Sequence, residues 1–351
     1  MAAIDGKMTA IADAIRRKTG GTEALTMDGM AEAIRGITGG GFPNGTEWTQ
    51  SNISSGYFYA VANANGIWIA GGDSGLYYST DGKTWTQSNI SSGGFGSICN
   101  ANGLWVAISY GNGIYYSIDG KNWIQSNISS GNFEFCHNAN GLWVASSYGN
   151  GLYYSADGKT WTQSNISSGN FGSLCNANGL WVVGSYNQGI YYSTDGKAWT
   201  QSNNASGHAG PIVNANGIWV ASANSGRGLC YSTNGIDWTQ SNVTSGSFGA
   251  IVNANGIWIA ASLFNGIWYS IDGKLWTESN MVHTEIYELA YANGIWVACT
   301  GYAGLYYSTD GGNWMQSNIT SVEVNRITNA NGIWVATGDE SIYYSVTWEP
   351  S

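Results

Sequence analysis

Charge is scarce in this sequence. Asp, Glu, Lys and Arg make up only 10% of its 351 residues, and there are three prolines and three histidines. No apolar run approaches the length of a membrane span, and the N-terminus lacks the apolar core of a secretory signal. These lacks argue against membrane insertion. The formal net charge is −10, and residues 1–40 carry five basic and five acidic side chains, so the whole excess falls on the remainder. Such a surface repels nucleic acid. The five cysteines, Cys99, Cys136, Cys175, Cys230 and Cys299, are odd in number and without paired spacing, which argues against a disulfide framework. Cys99 and Cys175 hold the slot occupied elsewhere by Val213 and Val252, so they read as small core-facing residues. His137, His208 and His283 have no metal-ligand spacing around them and read as surface or loop residues. Runs such as Gly111-Asn112-Gly113 lack the helix and lysine of a phosphate loop. Neither a metal nor a cofactor is expected.

Glycine and tryptophan are abundant instead, at 51 and 18 residues. The run Asn-Gly-(Ile/Leu)-Trp occurs eight times, with its tryptophan at Trp68, Trp105, Trp143, Trp181, Trp219, Trp258, Trp296 and Trp334, at intervals of 37 to 39 residues. A second series, Trp48, Trp85, Trp123, Trp161, Trp199, Trp238, Trp276 and Trp314, keeps the same beat. A fixed period of this length means stacked copies of one supersecondary unit. Within a copy, FGSIC, GLWVAIS, GIYYSI and KNWIQSN are short aromatic and β-branched runs separated by NAN, YGNG and DG turn signals. Four strands make one small antiparallel sheet that cannot cover both of its faces alone, and arranging copies in a ring gives each face a partner. The expected fold is therefore all-β: an eight-bladed β-propeller of four-stranded blades.

Both ends of the chain point to closure of that ring. The eighth copy stops at Ser341-Ile342-Tyr343-Tyr344-Ser345 without the turn and outer strand, and Asn44-Gly45-Thr46-Glu47-Trp48-Thr49-Gln50-Ser51-Asn52 near the start matches the missing piece. One blade built from both termini leaves no free edge to invite aggregation. The propeller is thus expected over 44–351. A fully buried tryptophan removes about 200 Å² from water, roughly 5 kcal/mol gross, so two per blade read first as packing.

Residues 1–40 stand outside the repeat. Met8, Ile11, Ala12 and Ile15 fall on one face of a short helix, and Met27, Met30, Ala31 and Ile34 on one face of a second that Thr26 can cap. The expectation is a short helical hairpin with a linker to about residue 43, too small to hold a core of its own and serving to attach the propeller to sister chains or a particle. The run IADAIRRKTG followed by LTMDGMAEAIRGI resembles the helical segment of tail and tail-fibre proteins from phages and prophages of Gram-positive bacteria. That resemblance implies synthesis in a bacterial cytoplasm and release by lysis or within a phage tail.

The repeats carry a second resemblance. Ser79-Thr80-Asp81-Gly82-Lys83-Thr84-Trp85 is similar to the Asp-box hairpin of sialidases and related propellers, with the serine-to-tryptophan spacing one residue shorter and Asn234 in place of Asp in one copy. In those families the motif is structural, and Asp-Gly and Asn-Gly are good two-residue hairpin turns. Sialidases resemble one another in using three arginines to clamp a carboxylate. Here the repeat region contains just Arg227 and Arg326, so that chemistry is not expected. Glu134, Glu285, Glu288 and Glu323 are the acids from which a glycoside-cleaving pair could be drawn.

Length variation between copies is confined to the link between the second and third strands. That link shares a face with the connections between blades, and variation on one face over a rigid scaffold suits recognition. Tyr110, Tyr148, Tyr186, Phe264 and Tyr302 offer stacking surfaces there, and Asn112, Asn150, Gln188 and Asn265 offer amide groups. The functional expectation is a non-enzymatic, lectin-like propeller recognising a cell-surface glycan or polysaccharide through these residues, repeated for avidity. A glycan-degrading enzyme on the same scaffold and a protein-binding assembly factor are the alternatives.

Overall fold

The computed structural model describes residues 45–186, 188–203, 209–223, 227–262, 266–281, 285–338 and 341–345. The helical segment 1–40, the linker and Asn44 lie outside these residues. Among the described residues, eight four-stranded antiparallel units follow the eight sequence copies, and in the first seven the strands run in chain order from the innermost to the outermost. The innermost strands are Phe58–Ala64, Gly94–Ala101, Gly131–Ala139, Phe171–Ala177, Ala209–Ala215, Phe248–Ala254, Ile286–Ala292 and Val324–Ala330. Each lies beside the next, and the eighth lies beside the first. The second and third units are further joined into one continuous sheet, where Gly131 pairs with Gly111 and Asn132 with Tyr110.

The eighth unit takes its fourth strand from the other end of the chain. Trp48, Thr49 and Gln50 pair with Ser345, Tyr344 and Tyr343. The Gly45 amide donates to Ser345 Oγ at 2.7 Å, and Gln50 hydrogen-bonds Ser341.

Turn chemistry explains why each unit forms. The first two strands are joined by Asn-Gly with both residues at positive φ, as at Asn65 (53°) and Gly66 (76°), and the pattern recurs in all eight copies. That is the two-residue turn whose twist matches a β-hairpin. Asp-Gly behaves differently from the two-residue turn expected of it. Pairing resumes only at Tyr78 and Thr86, so Ser79–Trp85 is a wider loop held by side chains. The amides of Asp81 and Gly82 donate to Ser79 Oγ, and those of Lys83 and Thr84 to Asp81 Oδ1 at 2.8 and 2.7 Å. Asn234 Oδ1 accepts the equivalent two amides in the fifth unit, so Asn fills the role without a charge. This is side-chain mimicry of a backbone turn.

Neither tryptophan series is available to a ligand. None of the sixteen is more than 6% exposed. The core is divided into eight layers between neighbouring units, as where Ile69 and Leu76 of the first pack on Phe95, Trp105 and Trp123 of the second. Side-chain amides then clasp one unit to the next: Asn89 Oδ1 accepts the Trp123 amide at 2.8 Å while its Nδ2 donates to the Trp123 carbonyl at 3.0 Å. The same clasp links Asn318 to Trp48 and so closes the ring. Between the fourth and fifth units Asn203 instead donates to Asp237 Oδ1 at 2.9 Å.

Candidate functional site in the central mouth

Every innermost strand slips register against its neighbour near its start, in seven units just after the first buried residue. The residue left over is Tyr59, Gly96, Glu134, Gly172, Gly249, Tyr287 or Asn325, and in the fifth unit the pair Gly210-Pro211. A bulge of this kind re-aims a side chain that would otherwise pack within the sheet. Here it gives each unit one position on the rim of the central opening.

The links between second and third strands meet that rim. The amides of Tyr148 and Tyr186 donate to the carbonyls of Asn132 and Asn170 at 2.7 and 2.9 Å, and Gly301 donates to the Glu285 carbonyl at 3.0 Å. Tyr110 and Tyr186 turn inward over the glycines of their own bulges: a Cβ on Gly96 would meet the Tyr110 ring, and one on Gly172 the Tyr186 hydroxyl. Where the bulge residue is itself a tyrosine, the linking residue is small or acidic. Tyr59 thus donates to Asp73 Oδ2 at 2.9 Å, and Tyr287 stands beside Gly301. Tyr110 itself stays 47% exposed, and Tyr148 and Tyr302 are 54% and 76% exposed.

The amides expected to join these rings have local work. Asn150 Nδ2 donates to Ser147 Oγ at 3.3 Å, Gln188 Oε1 accepts the Tyr191 hydroxyl at 3.4 Å, and Asn112 Nδ2 lies against Gly93. Their carbonyls accept outer-strand glutamines, as Asn112 does from Gln125 at 2.9 Å. Phe264 and Asn265 lie outside the described residues, as do His208 and His283.

Charge gathers in the mouth from units far apart in sequence. Burial pushes the Tyr110 and Tyr186 hydroxyls above their usual range; nearby Glu134 adds to this, and Arg326 opposes it. These four groups come from the second, fourth, third and eighth units, so they share one space. Burial likewise raises the Glu134 carboxyl. Tyr287 is pushed up to about 12, first by burial and then by the charges of Glu285 and Glu323. Burial raises Glu288, against the pull of Arg326 and of the Ile327 amide, which donates to its Oε2 at 2.6 Å. Below the rim lies a cavity of about 320 Å³ whose lining includes Ser173, Pro211, Gly249, Tyr287, Glu288 and Arg326. The lysines of the repeats sit elsewhere. Lys83, Lys121, Lys159, Lys197 and Lys274 lie in the Asp-Gly loops over tyrosines of the preceding unit, 5.2 to 5.8 Å from the ring centres.

Deeper in the opening, the first Asn of the NAN motif stands opposite the inner tryptophan in seven units, and its Nδ2 has no hydrogen-bond partner among the described residues. In the seventh unit Tyr291 takes this place with its ring 4.7 Å from Trp296. His137 is a correction to its expected surface placement: it lies in an innermost strand, edge-on to Trp181 at 6.0 Å, and burial lowers its pKa. Among the described residues no three His, Cys, Asp or Glu side chains gather as a metal site.

Solved structures share this architecture. YCF48 from Cyanidioschyzon merolae matches with a TM-score of 0.55 at 12% identity over 85% of this chain and 98% of its own. The fold is a β-propeller. BamB from Moraxella catarrhalis matches at 0.63 with 8% identity over 85% and 95% of the two chains. Sqt1 from Saccharomyces cerevisiae matches at 0.66 with 10% identity over 88% and 100%. At such identities the likeness speaks for the propeller fold alone. No family model and no curated protein sequence matches the chain.

Proposed function

We propose that this chain is an eight-bladed, non-enzymatic binding propeller that recognises carbohydrate at its central mouth, carried by a phage or prophage tail through residues 1–40. The observation that carries the reading is the convergence of Tyr59, Tyr110, Tyr186 and Tyr287 at bulge and link positions around one acidic opening, with Tyr148 and Tyr302 exposed beyond them. Tyrosine rings stack on the apolar faces of sugars while their hydroxyls and the neighbouring carboxylates hydrogen-bond to ring hydroxyls. The inward turn of Tyr110 and Tyr186 favours one composite site over eight equal subsites. Glycan-array binding of the full chain tests this. The parent should bind a defined set of glycans, and the triple variant Tyr110→Ala, Tyr148→Ala, Tyr186→Ala should lose most of that binding. Equal binding by parent and variant would overturn it.

A second reading is recognition of a protein segment in the same mouth. It is favoured by a structure of YCF48 bound to D1 peptide, which matches with a TM-score of 0.57 at 16% identity over 87% of this chain and 96% of its own. Binding to a peptide library with none to glycans would select it. Glycan cleavage, the remaining alternative, would show as product release that depends on Glu134, Glu285 or Glu323.

A further inference from the structure

Cys99 and Cys136 lie on neighbouring innermost strands, in the second and third units. Their sulfur atoms are 2.7 Å apart, and Cys99 Sγ is 2.6 Å from the Cys136 carbonyl oxygen. Thiols are seldom driven this close without either parting or bonding; the S–S bond itself is ~2.05 Å. Ser97 holds the second thiol from the other side: its Oγ accepts the Cys136 amide at 3.3 Å and touches Cys136 Sγ at 3.8 Å. The strands that carry the pair belong to the two units whose sheets are continuous through Gly111 and Gly131, so the seam is tied by backbone hydrogen bonds as well. Cys175, Cys230 and Cys299 sit in the fourth, fifth and seventh units, and all five thiols are free in this structure.

We propose that Cys99 and Cys136 are a redox-responsive pair that closes to a disulfide and staples the second unit to the third within the core layer between them. The oxidant is a small-molecule disulfide. Cys99, the less buried of the two, loses its proton and attacks one sulfur of the oxidant, forming a mixed disulfide and expelling one thiolate. Cys136 then loses its proton and attacks Cys99 Sγ, which expels the second thiolate. The two protons end on the two released thiols, so two protein thiols are oxidised and one small disulfide is reduced. A thiol as buried as Cys136, 5% exposed, makes the second step the slow one. The staple spans 37 residues of chain and removes freedom from the unfolded state. This proposal stands apart from the identity of the ligand.

The test treats the full chain with cystamine, alkylates it under denaturing conditions, and measures intact mass together with a non-reducing peptide map. The expected result is a fall from five alkylated cysteines to three, with residues 99 and 136 in one linked peptide. Melting should rise by several degrees on oxidation, an effect lost in Cys99→Ser and kept in Cys175→Ser. Should Cys99→Ser fold poorly, the mass and the map of the parent decide alone. Five alkylated cysteines after oxidation, a cystamine adduct persisting on Cys99 beside a free Cys136, or a link to any other cysteine would each overturn the proposal.

Discussion

The two ends of the ring obey different rules. At the turn end, Asn-Gly hairpins and Ser-x-Asp-Gly loops repeat with nearly the same residues, and the Ser and Asp side chains accept backbone amides of their own loop. At the mouth end the backbone also repeats, with a bulge in every unit, but the residue placed on that bulge ranges from Gly through Tyr to Glu. Uniform residues therefore mark where the fold is specified, and a uniform backbone with variable residues marks where a surface is free to be specialised. A bulge makes this possible because its side chain leaves the sheet, so its identity costs the core little.

The sharpest way to break the comparison is at the closing strand. Removing residues 1–53 takes away Trp48–Gln50 and the Asn318 clasp, while removing 1–40 leaves both. The longer truncation should lose cooperative melting or melt more than ~10 °C lower, and the single change Trp48→Ala should cost about 3–5 kcal/mol in denaturant unfolding. Equal melting of the two truncations would deny that the eighth unit is shared.

Two glycines compare crowding with conformation. Gly113 has φ 76°, and a Cβ there would run into the Ile128 carbonyl oxygen, whereas Gly66 has the same φ with open space around it. Gly113→Ala should destabilise by about 3 kcal/mol and Gly66→Ala by about 1 kcal/mol. Similar costs at both sites would mean that backbone conformation alone decides. Next in size is the clasp. Asn89→Ala deprives the Trp123 amide and carbonyl of their partner and should cost about 1–3 kcal/mol by equilibrium unfolding.

Acid should reach the mouth first, where burial raises Glu134 and Glu288, and weaken the turn end only at lower pH. The Thr160 amide, then the Lys159 amide and the Ser155 hydroxyl, against a contribution from burial, hold the Asp157 carboxyl below its usual 3.8. Asp195 is held down likewise by the Ala198 and Lys197 amides. A carboxyl depressed on folding stabilises above its unfolded value, and that contribution is lost as pH falls through the folded value. The loop contribution should thus be level from neutrality to about pH 5, and melting should decline below about pH 4 as it is lost. Asp157→Asn, which copies the natural Asn234, should make the decline shallower, and a decline of unchanged slope would argue against the loops. The smallest change is expected at the mouth: Tyr148→Ala, at a half-exposed ring, should shift melting by less than ~2 °C.

Much of the scaffold is legible in the sequence because periodicity is a local signal repeated eight times. Paired Trp series, the Asn-Gly hairpins and the match of Asn44–Asn52 to the missing turn and outer strand all lie in contiguous residues. The loop around Asp81 reads as a two-residue turn, and wrongly, since the serine that widens it looks like an ordinary strand end. The mouth is half legible. Variable residues can be placed on one face, but the inward turn of Tyr110 and Tyr186 depends on Gly96 and Gly172, fourteen residues earlier in each case. Arg326 reaches the same space as Glu134 only because the ring brings the eighth unit opposite the third and fourth. No local pattern carries that.

The shared unit also sets an order of events. Gly45 meets Ser345 across 300 positions, so the first outer strand to leave the ribosome is the last to find its partner. Until then it travels as an unpaired edge with a bare indole at Trp48, the kind of segment on which chaperones and aggregates both act. Closure is the longest loop the chain must make, and entropy delays it behind the local hairpins. The ring is therefore slow to finish.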